Sequence, residues 1–297
     1  MVFNVYLPIV SGGTMTDRVL GCDTSHWSDK INFDTMYNAG ARFWITKATD
    51  AYKTSPTQFE DSKFMEFCTA AFAHGKLLKG CFHWLQASVD PKVAAEFYLE
   101  RYNRFKFDFP PILDFEETYV FTTGLYSDYA WRAQVWLDYV GNKTGRTPII
   151  YTGKWYTDHF TATQISWMNK YPLWVADYTW KSNVLYNRPT YMPSPWTQQT
   201  IWQFSADGNN RGHEFGVNSD DICLDWFEGD METLNAFLEI VPEIPEPPPV
   251  VDKDITEQLG DIETDATAIM AASEKTFAAA SNVMQQLAEI RGIIQGD

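Results

Sequence analysis

The stretch Pro242-Glu243-Ile244-Pro245-Glu246-Pro247-Pro248-Pro249 sets five prolines in eight residues, and no regular helix or sheet runs through such a segment. The chain is therefore expected to fold in two pieces, held apart by a stiff spacer. Their compositions differ. Aromatic residues form 16% of the sequence, yet Phe277 is the only one after Pro242. The first piece, about 240 residues, suits one large domain, and α/β barrels often reach that length as a single domain.

After the spacer, Ile255, Leu259, Ile262, Ala266, Ile269, Ser273, Thr276, Ala280, Val283, Leu287, Ile290 and Ile294 recur at steps of four and three, which is a heptad seam. With Leu259 at position a, the β-branched Ile255, Ile262, Ile269, Val283 and Ile290 fall at d, a pattern that favours trimers or tetramers over parallel dimers. Residues 251–297 are thus expected to form a coiled-coil helix that joins copies of the chain into a homo-oligomer.

Charge narrows what the first piece can bind. The net charge is −16, and from Pro242 onward eleven acidic residues face Lys253, Lys275 and Arg291, a net of −8 that leaves −8 for the rest. No cluster of Lys and Arg offers contacts to nucleic-acid phosphates, and an anionic membrane surface is disfavoured on the same ground. Cys22, Cys68, Cys81 and Cys223 form no C-x-x-C pair and read as buried free thiols. The apolar N-terminus lacks a basic n-region and no run approaches about 18 apolar residues, so the expectation is a chain made in the cytoplasm without a signal peptide.

Before the spacer, apolar runs alternate with helical patterns. Strands are expected over Val19–Asp23, Ala41–Lys47, Leu78–Trp84, Pro110–Glu116, Pro148–Tyr151 and Leu173–Tyr178. Between them, helices are expected over Phe33–Ala39, Phe59–Ala73, from Asp90-Pro91, over Trp131–Gly141 and near Thr161–Asn169, with Asp90 as N-cap and Pro91 as first helical residue. This β–α repeat predicts an α/β fold with a parallel sheet closed as a TIM-like (β/α) barrel, whose active site lies at the C-terminal ends of the strands. Asp23, Lys47, His83, Asp114, Glu116 and Asp177 all fall at such ends. One strand-end aspartate alone is often a loop organiser, but six polar residues together point to a site.

Asp114 and Glu116 carry the sharpest chemistry. Two apart on a strand, they share a face with Cα atoms about 6.5–7 Å apart, and two like charges so close push one pKa upward. One carboxyl then stays protonated near neutral pH beside an ionised partner, the division of labour that glycoside hydrolysis needs. Calcium binding competes for any acidic cluster, but no EF-hand-like loop is present. The many Trp and Tyr residues are mainly core material, and some supply stacking walls for sugar rings.

These stretches resemble the glycoside hydrolase family 25 lysozymes, Chalaropsis-type muramidases often found as bacteriophage endolysins. The resemblance covers about residues 18–237 and rests on Gly21-Cys22-Asp23-Thr24-Ser25 with Trp27, Trp44-Ile45-Thr46-Lys47-Ala48-Thr49, Gly80-Cys81-Phe82-His83-Trp84 and Ile112-Leu113-Asp114-Phe115-Glu116. It continues in order through Ile150-Tyr151-Thr152, Leu173-Trp174-Val175-Ala176-Asp177-Tyr178, Trp202-Gln203-Phe204-Ser205 and Leu224-Asp225-Trp226-Phe227. It implies an irregular barrel over residues 18–241, between an N-terminal extension at 1–17 and the linker at 242–250. The implied reaction is cleavage of the β-1,4 bond between N-acetylmuramic acid and N-acetylglucosamine in bacterial peptidoglycan, with net retention.

By the same resemblance Glu116 matches the general acid/base, Asp114 its neighbouring carboxylate and Asp23 the acid at the end of the first strand. Lys47, His83, Tyr151, Trp174, Asp177, Tyr178, Gln203 and Asp225 are the candidate substrate-binding residues, and no metal or cofactor is implied. Two positions depart from the family pattern. Ile222-Cys223-Leu224-Asp225 stands where a V-D-L-N segment is usual, so that Asp221 or Asp225 is left to supply the carboxylate absent at Cys223. Asp50-Ala51 stands where Glu-Gly is usual after Lys-Ala-Thr. A chitinase-like glycosidase and a noncatalytic wall-binding or structural phage component are the alternative functions, and the wall is reached either at lysis or from the virion.

Overall fold

The computed structural model describes residues 17–180 and 187–239. The expected coiled coil over 251–297, the linker 242–250 and all of the extension 1–17 except Asp17 lie outside the described residues.

Nine strands form one sheet: β1 (Arg18–Thr24), β2 (Phe43–Ala51), β3 (Gln58–Glu60), β4 (Leu78–Trp84), β5 (Ile112–Asp114), β6 (Ile149–Gly153), β7 (Leu173–Ala176), β8 (Ile201–Ser205) and β9 (Cys223–Glu228). Their order is β1-β9-β8-β7-β6-β5-β4-β2-β3, and a further β1–β2 pairing closes eight of them into a barrel. The short β3 is an antiparallel arm on β2. All barrel pairings from β1 through β2, β4, β5, β6 and β7 to β8 are parallel, as the β–α repeat predicts. The last strand breaks that pattern, since β9 is antiparallel to both β8 and β1. A parallel return needs a crossover, usually a helix. Between β8 and β9 the chain offers only a short 3-10 turn at Gly212–Phe215.

The helices are α1 (Phe33–Asn38), α2 (Phe64–His74), α3 (Pro91–Tyr102), α4 (Tyr119–Thr123), α5 (Tyr126–Thr144), α6 (Lys154–Thr157), α7 (Ala162–Ile165) and α8 (Met231–Glu239). As expected, Asp90 caps α3, accepting from the backbone N–H groups of Lys92 at 2.9 Å and Val93 at 3.2 Å. The helix expected from Phe59 starts later. Phe59 belongs to β3, and Asp61 makes the turn into α2 by accepting from the Lys63 amide at 3.0 Å. The region near Thr161–Asn169 holds only α7 and a 3-10 turn at Ser166–Lys170. Long helices thus cover only part of the barrel, which makes it irregular.

Strand side chains alternate between two apolar layers. Trp44 and Trp202 point outward into a layer shared with Phe115, just past β5, and with Tyr129 and Trp136 of α5. Phe43, Ile45, Phe82, Ile112, Ile149, Trp174 and Phe227 point inward, where α8 adds Leu234, Phe237 and Leu238 to the floor. Burying a large apolar side chain contributes about 1.5–3 kcal/mol, so both layers drive folding. Close packing fixes two glycines. A Cβ on Gly21 would lie 2.1 Å from the Phe43 ring, and one on Gly80 would lie 2.9 Å from Cβ of Phe109.

Candidate active site

The inward positions change character at the C-terminal mouth. There Asp23 stands one residue before the end of β1, β5 ends in Asp114 and β8 carries Gln203 near its end, Lys47 projects from β2, and β9, running the other way, begins with Cys223. A cleft of about 530 Å³ opens over them, lined also by Trp84, Glu116, Tyr151, Trp174 and Tyr178, with Trp27 and Asp221 further out. Glu116 lies just past the end of β5 and not within it. The alternation still holds, because Phe115 turns outward, stacks on Tyr129 at 4.9 Å and donates its amide to the Tyr151 carbonyl at 2.9 Å. Both carboxylates therefore face the cleft.

A chain of hydrogen bonds fixes the orientation of Asp23. Tyr151 donates its hydroxyl to Oε1 of Gln203 at 2.7 Å and Tyr178 donates to the same atom, so the Gln203 amide must turn its Nε2 toward Asp23 Oδ2, to which it donates. On the opposite side Lys47 pairs with Asp50, and its Nζ lies 4.6 Å above the Trp84 ring. Asp50 also accepts from Nε2 of Gln86 at 3.0 Å.

Burial separates the acids. It pushes Glu116 up to about 8, with help from the charges of Asp23 and Glu117 and against that of Lys47. Burial also raises Asp23, but only to about 6, because hydrogen bonds from Gln203, Asp225 and Cys223 favour its charged form. Asp114 is raised well above the usual carboxylate range, first by burial and then by Glu116, and its Oδ1 has no protein partner. At neutral pH the cleft thus presents a protonated Glu116 and an ionised Asp23.

Of the six strand-end residues, Asp23, Lys47, Asp114 and Glu116 converge here. His83 and Asp177 do not. Phe82 and Trp84 line the cleft, so His83 between them points outward, where its ring stacks on Trp136 at 5.6 Å and Nδ1 meets the Thr49 hydroxyl at 2.9 Å. Burial, with the Lys47 charge, holds its pKa at about 3, and the imidazole is neutral. Asp177 shares the outward parity of Leu173 and Val175. It organises the following loop, accepting from the Thr179 amide at 3.0 Å and from the amides of Thr190 and Tyr191, the latter at 2.9 Å. Asp225 points inward but lies below the cleft, fully buried, and accepts from Trp174 Nε1 at 2.9 Å.

Other participants were not singled out for the site. Asp50, noted only as a departure, anchors Lys47; a β-bulge between Lys47 and Thr49 puts the two on one side, and nothing in the sequence announces a bulge. Trp84 and Trp27 offer ring faces to the cleft, and Trp27 is 79% exposed, which marks it as a contact surface and not core. Three cysteines are buried, whereas Cys223 is only half-buried and reaches the cleft. Among the described residues no group of three or more His, Cys, Asp or Glu is arranged to hold a metal ion, and no helix is long and apolar enough to cross a membrane.

A protonated acid and an ionised carboxylate in one aromatic-walled cleft at a barrel mouth define a glycoside hydrolase site. The sequence pattern of Glycosyl hydrolases family 25 matches residues 22–213. The Escherichia coli K12 protein YegX is 30% identical over 230 residues, covering 76% of this chain and 75% of that protein. An N,O-diacetylmuramidase of Arthroderma benhamiae is 27% identical over 243 residues, covering 78% of this chain and 92% of that enzyme. The structure of a family GH25 lysozyme from Aspergillus fumigatus matches with a TM-score of 0.61 at 26% identity, covering 74% of this chain and 99% of that one. The chain belongs to glycosyl hydrolase family 25 and is a glycoside hydrolase of the lysozyme type. A chitinase-like activity is not favoured by these matches.

Proposed function

We propose that the chain cleaves the β-1,4 bond between N-acetylmuramic acid and N-acetylglucosamine in bacterial peptidoglycan, with net retention of configuration. The observation that carries this reading is the convergence of Glu116 and Asp23 in one cleft, where Gln203 donates to Asp23 and burial raises Glu116, to about 8, further than Asp23, to about 6. Glu116 protonates the departing glycosidic oxygen, and negative charge at Asp23 stabilises the oxocarbenium-like centre. Glu116, now ionised, then takes a proton from the incoming water. Retention follows whether the first displacement is made by a carboxylate or by the substrate's own acetamido oxygen oriented by Asp114. Trp27, Trp84 and Tyr178 supply apolar faces for successive pyranose rings.

Glu116→Gln keeps the shape of the site and removes the proton donor. Release of reducing sugar from purified peptidoglycan should fall by about 10²–10⁴-fold, the usual contribution of a general acid. Mass spectrometry of wild-type digests should show N-acetylmuramic acid at the new reducing ends. N-acetylglucosamine at those ends, or full activity in the variant, overturns the assignment.

The heptad segment belongs to the same proposal. Residues 251–297 would join three or four barrels, and linked sites gain avidity on a repetitive polymer without new contacts. The mass of the full chain in solution, set against that of residues 1–241, tests this, and equal monomer masses refute it. The setting proposed is a phage lysin acting on the bacterial wall, supported by the resemblance of residues 18–237 to muramidases common among endolysins.

A further inference from the structure

Beneath Asp23 lies a second carboxyl group that the mechanism above does not use. In the β1–β9 ladder Asp23 stands opposite Cys223 and Gly21 opposite Asp225, while across β8 Gln203 stands opposite Asp225. Asp225 therefore occupies the inward layer directly below Asp23, flanked by a residue without a side chain on one side and by the Gln203 that holds Asp23 on the other. It is fully buried. Its Oδ1 accepts from the indole N–H of Trp174 at 2.9 Å, and its Oδ2 has no donor in reach. The Asp23 carboxyl group, itself an acceptor, lies within hydrogen-bonding reach of the Asp225 carboxyl group.

Two carboxyl groups in contact need one proton between them, and the enclosed member is the one that cannot keep a charge. Asp23 opens on the cleft and has Gln203 as donor. Asp225 has neither solvent nor a cation. We propose that Asp225 is a positioning residue for Asp23: it is held neutral, donates its Oδ2 proton upward to the Asp23 carboxylate, and supports that anion from below. On β9 Cys223 takes the mouth and Asp225 the inner place, so the carboxyl group that supports Asp23 from below is that of Asp225 and not that of Asp221 at the cleft edge.

The inference rests on the reading of Asp23 as the ionised partner of Glu116. The charged and titratable groups that face Asp23 are Lys47 from β2, Asp114 and Glu116 from the end of β5, Tyr178 after β7 and Cys223 and Asp225 from β9, with Cys22 behind it on β1. Of these, Asp225 and the half-buried Cys223 are the two with a proton to give at short range below and beside it.

The test compares three forms of the full-length enzyme on solubilised peptidoglycan across pH. Asp225→Asn retains a neutral donor and should keep kcat/KM within about threefold of wild type. Asp225→Leu removes the donor, and should lower kcat about tenfold or more at pH 6 with little change in KM, and move the acid limb of the profile to higher pH by about one unit. If Asn is as damaging as Leu, an ionised carboxylate is required at 225 and the proposal fails. An acid limb unmoved in the Leu variant shows a packing role only and also overturns it. Should the Leu variant not fold, the carbon-13 carboxyl signal of Asp225 in the wild-type enzyme decides: a protonated signal at pH 7 is expected, and an ionised one refutes the proposal. Full activity in Glu116→Gln would instead sink the reading of the reaction, whatever Asp225 does.

Discussion

The mouth and the floor of the barrel are made by the same strands and the same inward-facing positions, yet they hold opposite chemistry. Along β1 the inward side chains pass from Val19 to Asp23, along β2 from Phe43 to Lys47, and along β8 from Ile201 to Gln203. The floor is closed by Leu234, Phe237 and Leu238 of α8. The mouth carries three buried or half-buried acids whose charged forms are all disfavoured by burial. Free energy gained by apolar packing at one end offsets charge desolvation at the other, and only the second end has chemistry to offer. The comparison predicts that substitutions at the two ends fail in different ways.

The largest stability effect is expected at the floor. Phe109 is fully buried, tilted against Phe43 at 5.4 Å, and its Cβ packs where Gly80 has no side chain. Phe109→Ala should cost about 3–5 kcal/mol of unfolding free energy while leaving kcat of the folded fraction unchanged. Denaturant melts and active-site-titrated rates measure the two separately. A lost kcat with an unchanged melt would break the distinction between floor and mouth.

At the mouth the expected effect is on rate against pH. On the proposed mechanism activity needs Glu116 protonated, so kcat/KM should fall about tenfold per unit as pH rises past about 8. It also needs Asp23 ionised, so the rate should fall as pH drops below about 6. On the proposed role of Asp225, the limb on the acid side is that of the Asp23–Asp225 pair as a whole and not of one residue. A profile still rising at pH 10, or one peaking below pH 5, contradicts these assignments.

How much of this was legible in the sequence depends on the kind of signal. The β–α order, the capped start of α3 and the convergence of Asp23, Asp114 and Glu116 near strand ends follow from local patterns, whereas Lys47, expected at the end of its strand, lies in the middle of β2, which runs on to Ala51. The antiparallel β9 does not, since it depends on a missing crossover helix between Ser205 and Cys223. His83 and Asp177 illustrate a different limit. Barrel strands are apolar on both faces, so alternation between core and solvent is absent and the inward parity of a strand is hard to assign. Once Phe82 and Trp84 are known to face inward, His83 is excluded by period two alone. Asp50 needed a bulge that shifts that parity, and Asp225 needed the register of three strands.

The smallest effect sharpens the comparison most. If the mouth is held together at a cost in stability, removing its charge should make the protein more stable while it becomes inactive. The sign follows from the raised pKa of Glu116: the unfolded chain ionises near 4.5 and the folded one near 8, so stability falls as pH rises through that window. Glu116→Gln cannot ionise, and at pH 7 should gain up to about 3 kcal/mol, several degrees in melting temperature. The gain should vanish below about pH 4, where wild-type Glu116 is protonated in both states. A variant that is destabilised at pH 7, or whose gain is independent of pH, would show that the acidic mouth is not a strained region, and that floor and mouth contribute to stability alike.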